Sequence, residues 1–180
     1  MRAFIGIDIP EDIKDAILKA SEDFAGSGIT LVKRDALHIT IRFLGEIQES
    51  KTELLCNIIK SVKPGPFGIS VSGIGTFGGR QPHVVYLKIG AGNSEISSIY
   101  NSISGKLGEA GLLIEEGRAY VPHVTIARVK RGADTRKLNE TLDRYVTIDF
   151  GSFGNPLIFL KKGVLTGDGP VYTTLFSRSL

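Results

Sequence analysis

Apolar positions along this 180-residue chain change their period several times, and each change marks a new element. Residues 2–9 are dense in Ile and Phe and read as a buried opening strand. Pro10, Glu11 and Asp12 then suit a helix start, with Pro10 at the first helical position. Ile13, Ala16, Ile17, Ala20 and Phe24 recur at helical spacing until Gly26. A strand over Leu37–Leu44 alternates cleanly and is expected to end at Gly45. A second helix carries Leu54, Leu55, Ile58, Ile59 and Val62 and breaks at Pro64-Gly65-Pro66. Strands near 67–74 and 84–89 flank a Gly-rich loop.

The same order then returns. Ile96, Ile99, Tyr100, Ile103 and Leu107 mark a helix that stops around Gly108–Gly111. A strand from His123 to Arg128, a weaker helix over about 134–144, and strands near 157–166 and 171–178 follow. Pro82-His83-Val84-Val85-Tyr86 pairs with Pro170-Val171-Tyr172, and Gly73-Ile74-Gly75-Thr76 with Gly163-Val164-Leu165-Thr166. The expectation is one α+β domain of two lobes, about 1–90 and 91–180, built by internal duplication about a pseudo-twofold axis.

Composition narrows the class without naming a chemistry. Hydrophobic residues at 42% and charged residues at 23% are ordinary for a globular protein and argue against a disordered chain or a coiled coil. A formal charge of +3 and a pI near 9.0 permit a polyanionic partner without requiring one. Cys56 is the only cysteine, so no intrachain disulfide and no cysteine-based zinc site can form. No apolar run approaches the roughly 18 residues of a membrane span, and the N-terminus lacks the apolar stretch of a signal peptide. A cytoplasmic protein, away from membranes, is expected.

Candidate chemistry rests on two of the three histidines. Alternation along a strand puts His38 and Thr40 on one face and Ile39 and Ile41 on the other. His123 and Thr125 stand likewise opposite Val124 and Ile126. A lone histidine among isoleucines is ordinarily structural, but two in matching His-x-Thr contexts would converge if the lobes pack about a dyad. Two imidazoles can then act as base and acid while two hydroxyls donate to phosphate oxygens, an arrangement that calls for no metal.

Leu37-His38-Ile39-Thr40-Ile41-Arg42-Phe43-Leu44-Gly45-Glu46 and Pro122-His123-Val124-Thr125-Ile126-Ala127-Arg128 resemble the paired signatures of the two-histidine phosphoesterase superfamily. The resemblance is strongest to the RNA 2′,3′-cyclic phosphodiesterases, also called the 2′-5′ RNA ligase family. It extends to the opening Arg2–Asp8 and to Leu165-Thr166-Gly167-Asp168-Gly169-Pro170-Val171-Tyr172 near the end. It implies a bilobed α+β fold with two antiparallel sheets lining a groove and helices outside. The implied reaction opens an RNA 2′,3′-cyclic phosphate to a 2′-phosphate, with His123 as proton acceptor and His38 as proton donor. Joining or cleaving 2′-5′ linkages without ATP is implied too, on RNA ends such as those of transfer-RNA fragments. No cofactor, metal or protein partner is expected, and a monomer is.

Thr40 and Thr125 are the expected phosphate ligands. Arg42 shares the parity of His38, whereas Arg128 has the opposite parity and needs a bulge or the strand end to reach the groove. The resemblance favours Arg128 as a substrate contact. Phe4 and Phe43 offer base-stacking surface or, alternatively, core packing. His83 stands where the family usually has arginine, and reads either as an altered substrate contact or as a loop-edge residue. Lys130-Arg131, near Arg128 and Arg136, is a basic run suited to an RNA backbone, and Lys161-Lys162 reads as a weaker one. Gly73-Ile74-Gly75-Thr76-Phe77-Gly78 fits the dinucleotide fingerprint literally, but a strand follows it where that motif needs a helix. No phosphate-binding loop of the ATPase type occurs. Two rivals remain: a phosphodiesterase of small cyclic nucleotides or ADP-ribose cyclic phosphates, and a catalytically silent binder of RNA ends.

Overall fold

The computed structural model describes residues 1–114, 117, 119–133, 135–167 and 169–180. Among these, the strands are β1 (Arg2–Asp8), β2 (Ile29–Leu31), β3 (His38–Glu46), β4 (Gly68–Phe77), β5 (Val84–Ile89), β6 (His123–Val129), β7 (Asp149–Gly154), β8 (Leu157–Thr166) and β9 (Gly169–Ser179). The α-helices are α1 (Glu11–Ser21), α2 (Thr52–Ser61), α3 (Asn93–Glu109) and α4 (Thr135–Arg144). Asp134 and Asp168, which the sequence reading placed in a helix and in the last motif block, lie outside the described residues.

The helices form where the apolar spacing predicts them, and each turns one stripe inward. α1 buries Ile13 and Ile17, α2 buries Leu55, Ile58 and Ile59, and α3 buries Ile96, Ile99, Ile103 and Leu107. Leu54 lies off that stripe and is exposed. Pro10 is the N-cap of α1, so the helix starts one residue later than expected, and the Pro10 carbonyl accepts from the Lys14 amide at 2.9 Å.

All strand pairs are antiparallel, in the order β7-β4-β5-β6-β3-β1-β8-β9, with β2 added alongside β6. The two sheets expected from the resemblance are therefore two four-stranded halves of one curled sheet. They meet through a single rung between β3 and β6, Ile39 opposite Val124. Helices cover one face of both halves: α3 packs on β3, α1 on β6 and β7, and α2 on β8 and β9. The other face lines the groove. β5 and β9, which read as counterparts in the sequence, occupy different places. β5 lies inside the sheet beside β6, β9 lies at the edge, and β1 takes the place beside β3 that β5 takes beside β6.

Two strands escaped the sequence reading. β7 is built from Asp149, Gly151, Ser152 and Gly154 around Phe150 and Phe153, a composition poor in strand formers. It exists because β4 offers it an open edge. β2 is only three residues long and pairs with the far end of β6.

Matching β-bulges interrupt the two central strands. Across β1 and β3 the register runs Gly6 with Thr40 and then Ile5 with Arg42, leaving Ile41 as the extra residue. Across β5 and β6 it runs Tyr86 with Thr125 and then Val85 with Ala127, leaving Ile126 extra. Each bulge falls directly after the motif threonine. Two consecutive residues then face the core, Ile41 and Arg42 in one strand and Ile126 and Ala127 in the other, and Phe43 and Arg128 emerge on the groove side.

Gly6 lets β1 pass close beneath an aromatic ring. A Cβ built there would stand 2.7 Å from Cζ of Phe159 and 2.9 Å from the Ile39 carbonyl oxygen. Gly6→Ala is expected to destabilise the protein by about 1–3 kcal/mol through this overpacking. Gly26→Ala, whose nearest neighbour would be Ile29 Cδ1 at 3.9 Å, should leave the denaturation midpoint nearly unchanged. Chemical denaturation of both variants checks this.

Candidate active site

The Ile39–Val124 rung fixes where the two motifs stand. In an antiparallel ladder, the neighbours of that pair place His38 opposite Thr125 and Thr40 opposite His123. All four side chains leave the sheet on the face opposite the buried Ile39 and Val124. The histidines sit on a diagonal of this four-residue square, a separation of roughly 7–8 Å between backbones. The structure thus brings together His38, Thr40, His123 and Thr125.

Each imidazole is walled by aromatic rings. His38 packs on Phe4 with centroids 4.8 Å apart, and meets Phe159 at 5.7 Å and Tyr172 at 6.0 Å nearly edge-on. His123 meets Phe77 at 5.0 Å and Tyr86 at 5.2 Å, and those two rings stack on each other at 4.3 Å. Tyr86 and Tyr172 stood out in the sequence only as repeat counterparts, Tyr172 also within the last resembling block, and Phe77 and Phe159 carry no signature of this role. Their place around the imidazoles depends on strand register, which the sequence does not disclose.

The two histidines are not equivalent electrostatically. Nδ1 of His123 lies 2.7 Å from the Val121 carbonyl oxygen, so Nδ1 carries the proton and donates it. Nε2 of a neutral His123 is then a lone-pair acceptor facing the groove. Nδ1 of His38 is buried and has no hydrogen-bond partner among the described residues. Burial above all, and secondarily the Lys161 charge, pull the His38 pKa from 6.5 to about 4, with Asp8 opposing; Lys14 and His123 add smaller downward contributions.

The remaining predicted residues divide. Arg128 is exposed on the groove face, carried there by the Ile126 bulge. Phe43 stands exposed on the same face of β3, 57% accessible and 6.2 Å from Phe4. Phe4 itself is 5% exposed, enclosed by His38, Phe159, Tyr172 and Phe43, so it is part of the wall and only Phe43 offers an open ring. Arg42 corrects the parity argument. The Ile41 bulge turns it away from His38 into the helix side, where it is 3% exposed and donates to the Tyr100 hydroxyl and the Ile114 carbonyl. Tyr100 stacks on Tyr120 at 4.0 Å, and the Tyr120 hydroxyl donates to the Thr40 carbonyl at 2.9 Å. Arg42 is therefore part of the scaffold behind the first motif.

His83 sits in the β4–β5 hairpin, its amide donating to the Phe77 carbonyl and its carbonyl accepting from the Val129 amide, both at 2.9 Å. Lys130 and Arg131 are exposed just beyond β6. Lys161, read from sequence as half of a weak basic run, instead stands on the groove face. Its ammonium lies 4.1 Å from the Phe159 ring centroid. Among the described residues no three His, Cys, Asp or Glu side chains gather as metal ligands, and no helix is long and apolar enough to cross a membrane.

Known proteins resemble the chain over most of its length. The family model described as the 2′-5′ RNA ligase superfamily matches residues 10–151. The chain is 41% identical over 178 residues to a protein of Methanocaldococcus jannaschii named RNA 2′,3′-cyclic phosphodiesterase, covering 97% of this chain and 98% of that one. A protein of the same name from Methanothermobacter thermautotrophicus is 32% identical over 183 residues, covering 97% and 96%. Among solved structures, E. coli LigT in complex with 3′-AMP superposes with a TM-score of 0.81 at 21% identity, covering 99% of this chain and 97% of that one.

Two outcomes follow from this geometry. Arg42→Ala should lower stability by roughly 1–3 kcal/mol by stranding the Tyr100 and Ile114 acceptors, while Arg128→Ala should leave the melting temperature near its original value. Thermal melts of the two variants separate scaffold from groove. Because His38 takes its proton at about pH 4 when folded and near 6.5 when unfolded, its contribution to stability is complete above about pH 6.5 and is lost as pH falls toward 4. His38→Gln should remove this dependence, of about 3 kcal/mol in full, from the difference between pH 7 and pH 4 denaturation curves.

Proposed function

The chain belongs to the 2′-5′ RNA ligase superfamily, and on that premise we propose that its groove opens RNA 2′,3′-cyclic phosphate ends by proton transfer between His123, His38 and the reacting oxygens. It is an enzyme, a cyclic phosphodiesterase acting on RNA, in keeping with the near-full-length relatives that carry that name. The observation that carries the mechanism is the Ile39–Val124 rung, which sets both His-x-Thr pairs on one face as a square.

In the proposed reaction, water lies beside Nε2 of His123 and attacks phosphorus in line with the 3′-oxygen. His123 accepts the water proton, and the Nδ1–H bond to the Val121 carbonyl stabilises the imidazolium that results. The phosphorus–O3′ bond breaks as Nε2–H of His38 delivers a proton to the departing 3′-oxygen. The products are a 2′-phosphate and a free 3′-hydroxyl. Thr40, Thr125 and Arg128 donate to the non-bridging oxygens, where negative charge gathers in the transition state, and Phe43 offers its open ring to the terminal base.

His38 is neutral in the empty groove at pH 7, because burial and Lys161 oppose its charge. An anionic phosphodiester placed against it reverses that balance, so the acid acquires its proton together with the substrate. A ribose 5′-hydroxyl standing in for water would run the same displacement and leave a 2′-5′ linkage without ATP.

Purified protein incubated with an oligonucleotide ending in 2′,3′-cyclic phosphate, in excess EDTA, should release a 2′-phosphate end. His38→Ala and His123→Ala should each reduce turnover by about 10²–10⁴-fold. Abolition of wild-type turnover by the chelator would sink the proposal that side chains alone carry the proton transfers.

A further inference from the structure

Lys161 is a half-buried ammonium to which the groove chemistry above gives no contact with the substrate. It pairs across β1 with Phe4, and so stands in one cross-strand row with Phe4 and Phe43 on the concave face. Its Nζ rests 4.1 Å from the centroid of Phe159, the same ring that meets His38 edge-on at 5.7 Å. Phe159 thus has the histidine on one side and the lysine on another. Beyond it opens a cleft of 370 Å³ lined by Lys14, Lys33, Asp35, Lys161, Tyr172 and Thr174.

The charges around this cleft are unevenly compensated. Lys14 is matched by Asp8 at 3.0 Å and by Glu11 at 2.8 Å. Among the described residues no carboxylate lies within ion-pair distance of Lys161. Asp8 and Asp35 favour its charge only from beyond ion-pair distance, so the partly desolvated cation stays incompletely compensated in the empty groove, and an anion entering the cleft relieves it. Burial already pulls the Lys161 pKa down from its ordinary range, which is the same cost seen from the proton's side.

We propose that Lys161, with the cleft it faces, binds the phosphate linking the terminal nucleotide to the one before it, so that an RNA end is gripped at two successive phosphates. This deepens the phosphodiesterase reading and rests on it. A cyclic phosphate closes the 3′ end of a strand, so every other backbone phosphate lies on its 5′ side. With the cyclic phosphate between His38 and His123 and the base on Phe43, the nucleotide must extend across the row to Lys161. Phe43 and Lys161 stand two strands apart, roughly 10 Å between backbones, about the span of one nucleotide from base to 5′-phosphate. Small cyclic nucleotides without a 5′-phosphate lack this second contact, so the subsite separates strand ends from nucleoside cyclic phosphates.

The test compares two product analogues that differ by one phosphate, adenosine 2′-phosphate and adenosine 2′,5′-bisphosphate, by calorimetric titration. The wild-type protein should bind the bisphosphate about 10-fold more tightly, in line with one charge-assisted contact. Lys161→Gln should bring that ratio to near one, and Lys161→Arg should restore most of it. Equal affinities in the wild-type protein would overturn the subsite, as would an undiminished ratio in Lys161→Gln. Both ligands are read in the same variant, so a general loss of folding weakens both and cannot imitate the loss of the ratio. Failure to hydrolyse any 2′,3′-cyclic phosphate, measured separately, would instead overturn the phosphodiesterase reading.

Discussion

β3 and β6 touch at one rung, and the groove owes its form to that economy. Ile39 and Val124 are fully buried on the helix side, so their pairing is anchored by the core while the strands part on either side of it. A longer ladder would close the two halves of the sheet into a continuous wall. A missing rung would free the halves from each other and let the two histidines drift apart. With one rung, the residues flanking the pair face each other across the opening, and the square of two imidazoles and two hydroxyls is a consequence of backbone register. The burial of two aliphatic side chains thereby fixes the positions of the polar groups beside them.

Much of this arrangement was legible in the chain. The opening strand, the apolar stripes of α1, α2 and α3, and the shared face of each His-x-Thr pair follow from periodicity, because burial on one face is what periodicity records. What periodicity does not record is a change of phase within a strand. Nothing in Thr40-Ile41-Arg42-Phe43 distinguishes a straight strand from a bulged one, so simple alternation assigns Arg42 to the groove and leaves Phe43 behind it. The bulge exchanges them. For Arg128 the reading already required a bulge or the strand end, and the bulge after Thr125 supplies it, moving the polar residue into the groove. β7 stayed hidden for a different reason: its strand character is lent by the edge of β4 and is not carried by its own glycines and aspartate. Lys161 was undervalued because a two-lysine run in sequence looks like solvated surface, and only the pairing with Phe4 shows which way it points.

The aromatic walls explain how histidines can be held rigidly with few hydrogen bonds. Phe4, Phe159 and Tyr172 confine one imidazole, and Phe77 and Tyr86 the other, by contact alone. The cost of such confinement is electrostatic: an imidazolium is poorly solvated among rings. His123 offsets part of it through the Val121 carbonyl, whereas Nδ1 of His38 has no comparable acceptor among the described residues. Two outwardly similar sites therefore differ in how they are held, one imidazole by a backbone carbonyl and rings, the other by rings alone among the described residues.

The paired bulges also divide each central strand into two segments of different phase. Residues before the bulge present the histidine and threonine; residues after it present Phe43 or Arg128 to whatever lies along the groove. Because the bulge resets the alternation, the outward position of the second segment can change without altering the inward packing that registers the first. The two motif residues and the groove-facing residue beyond them thus become separable along a single strand, nine residues long in one half of the sheet and seven in the other. The packing that registers the motifs therefore places no demand on one side chain in each strand, the one three residues past the threonine.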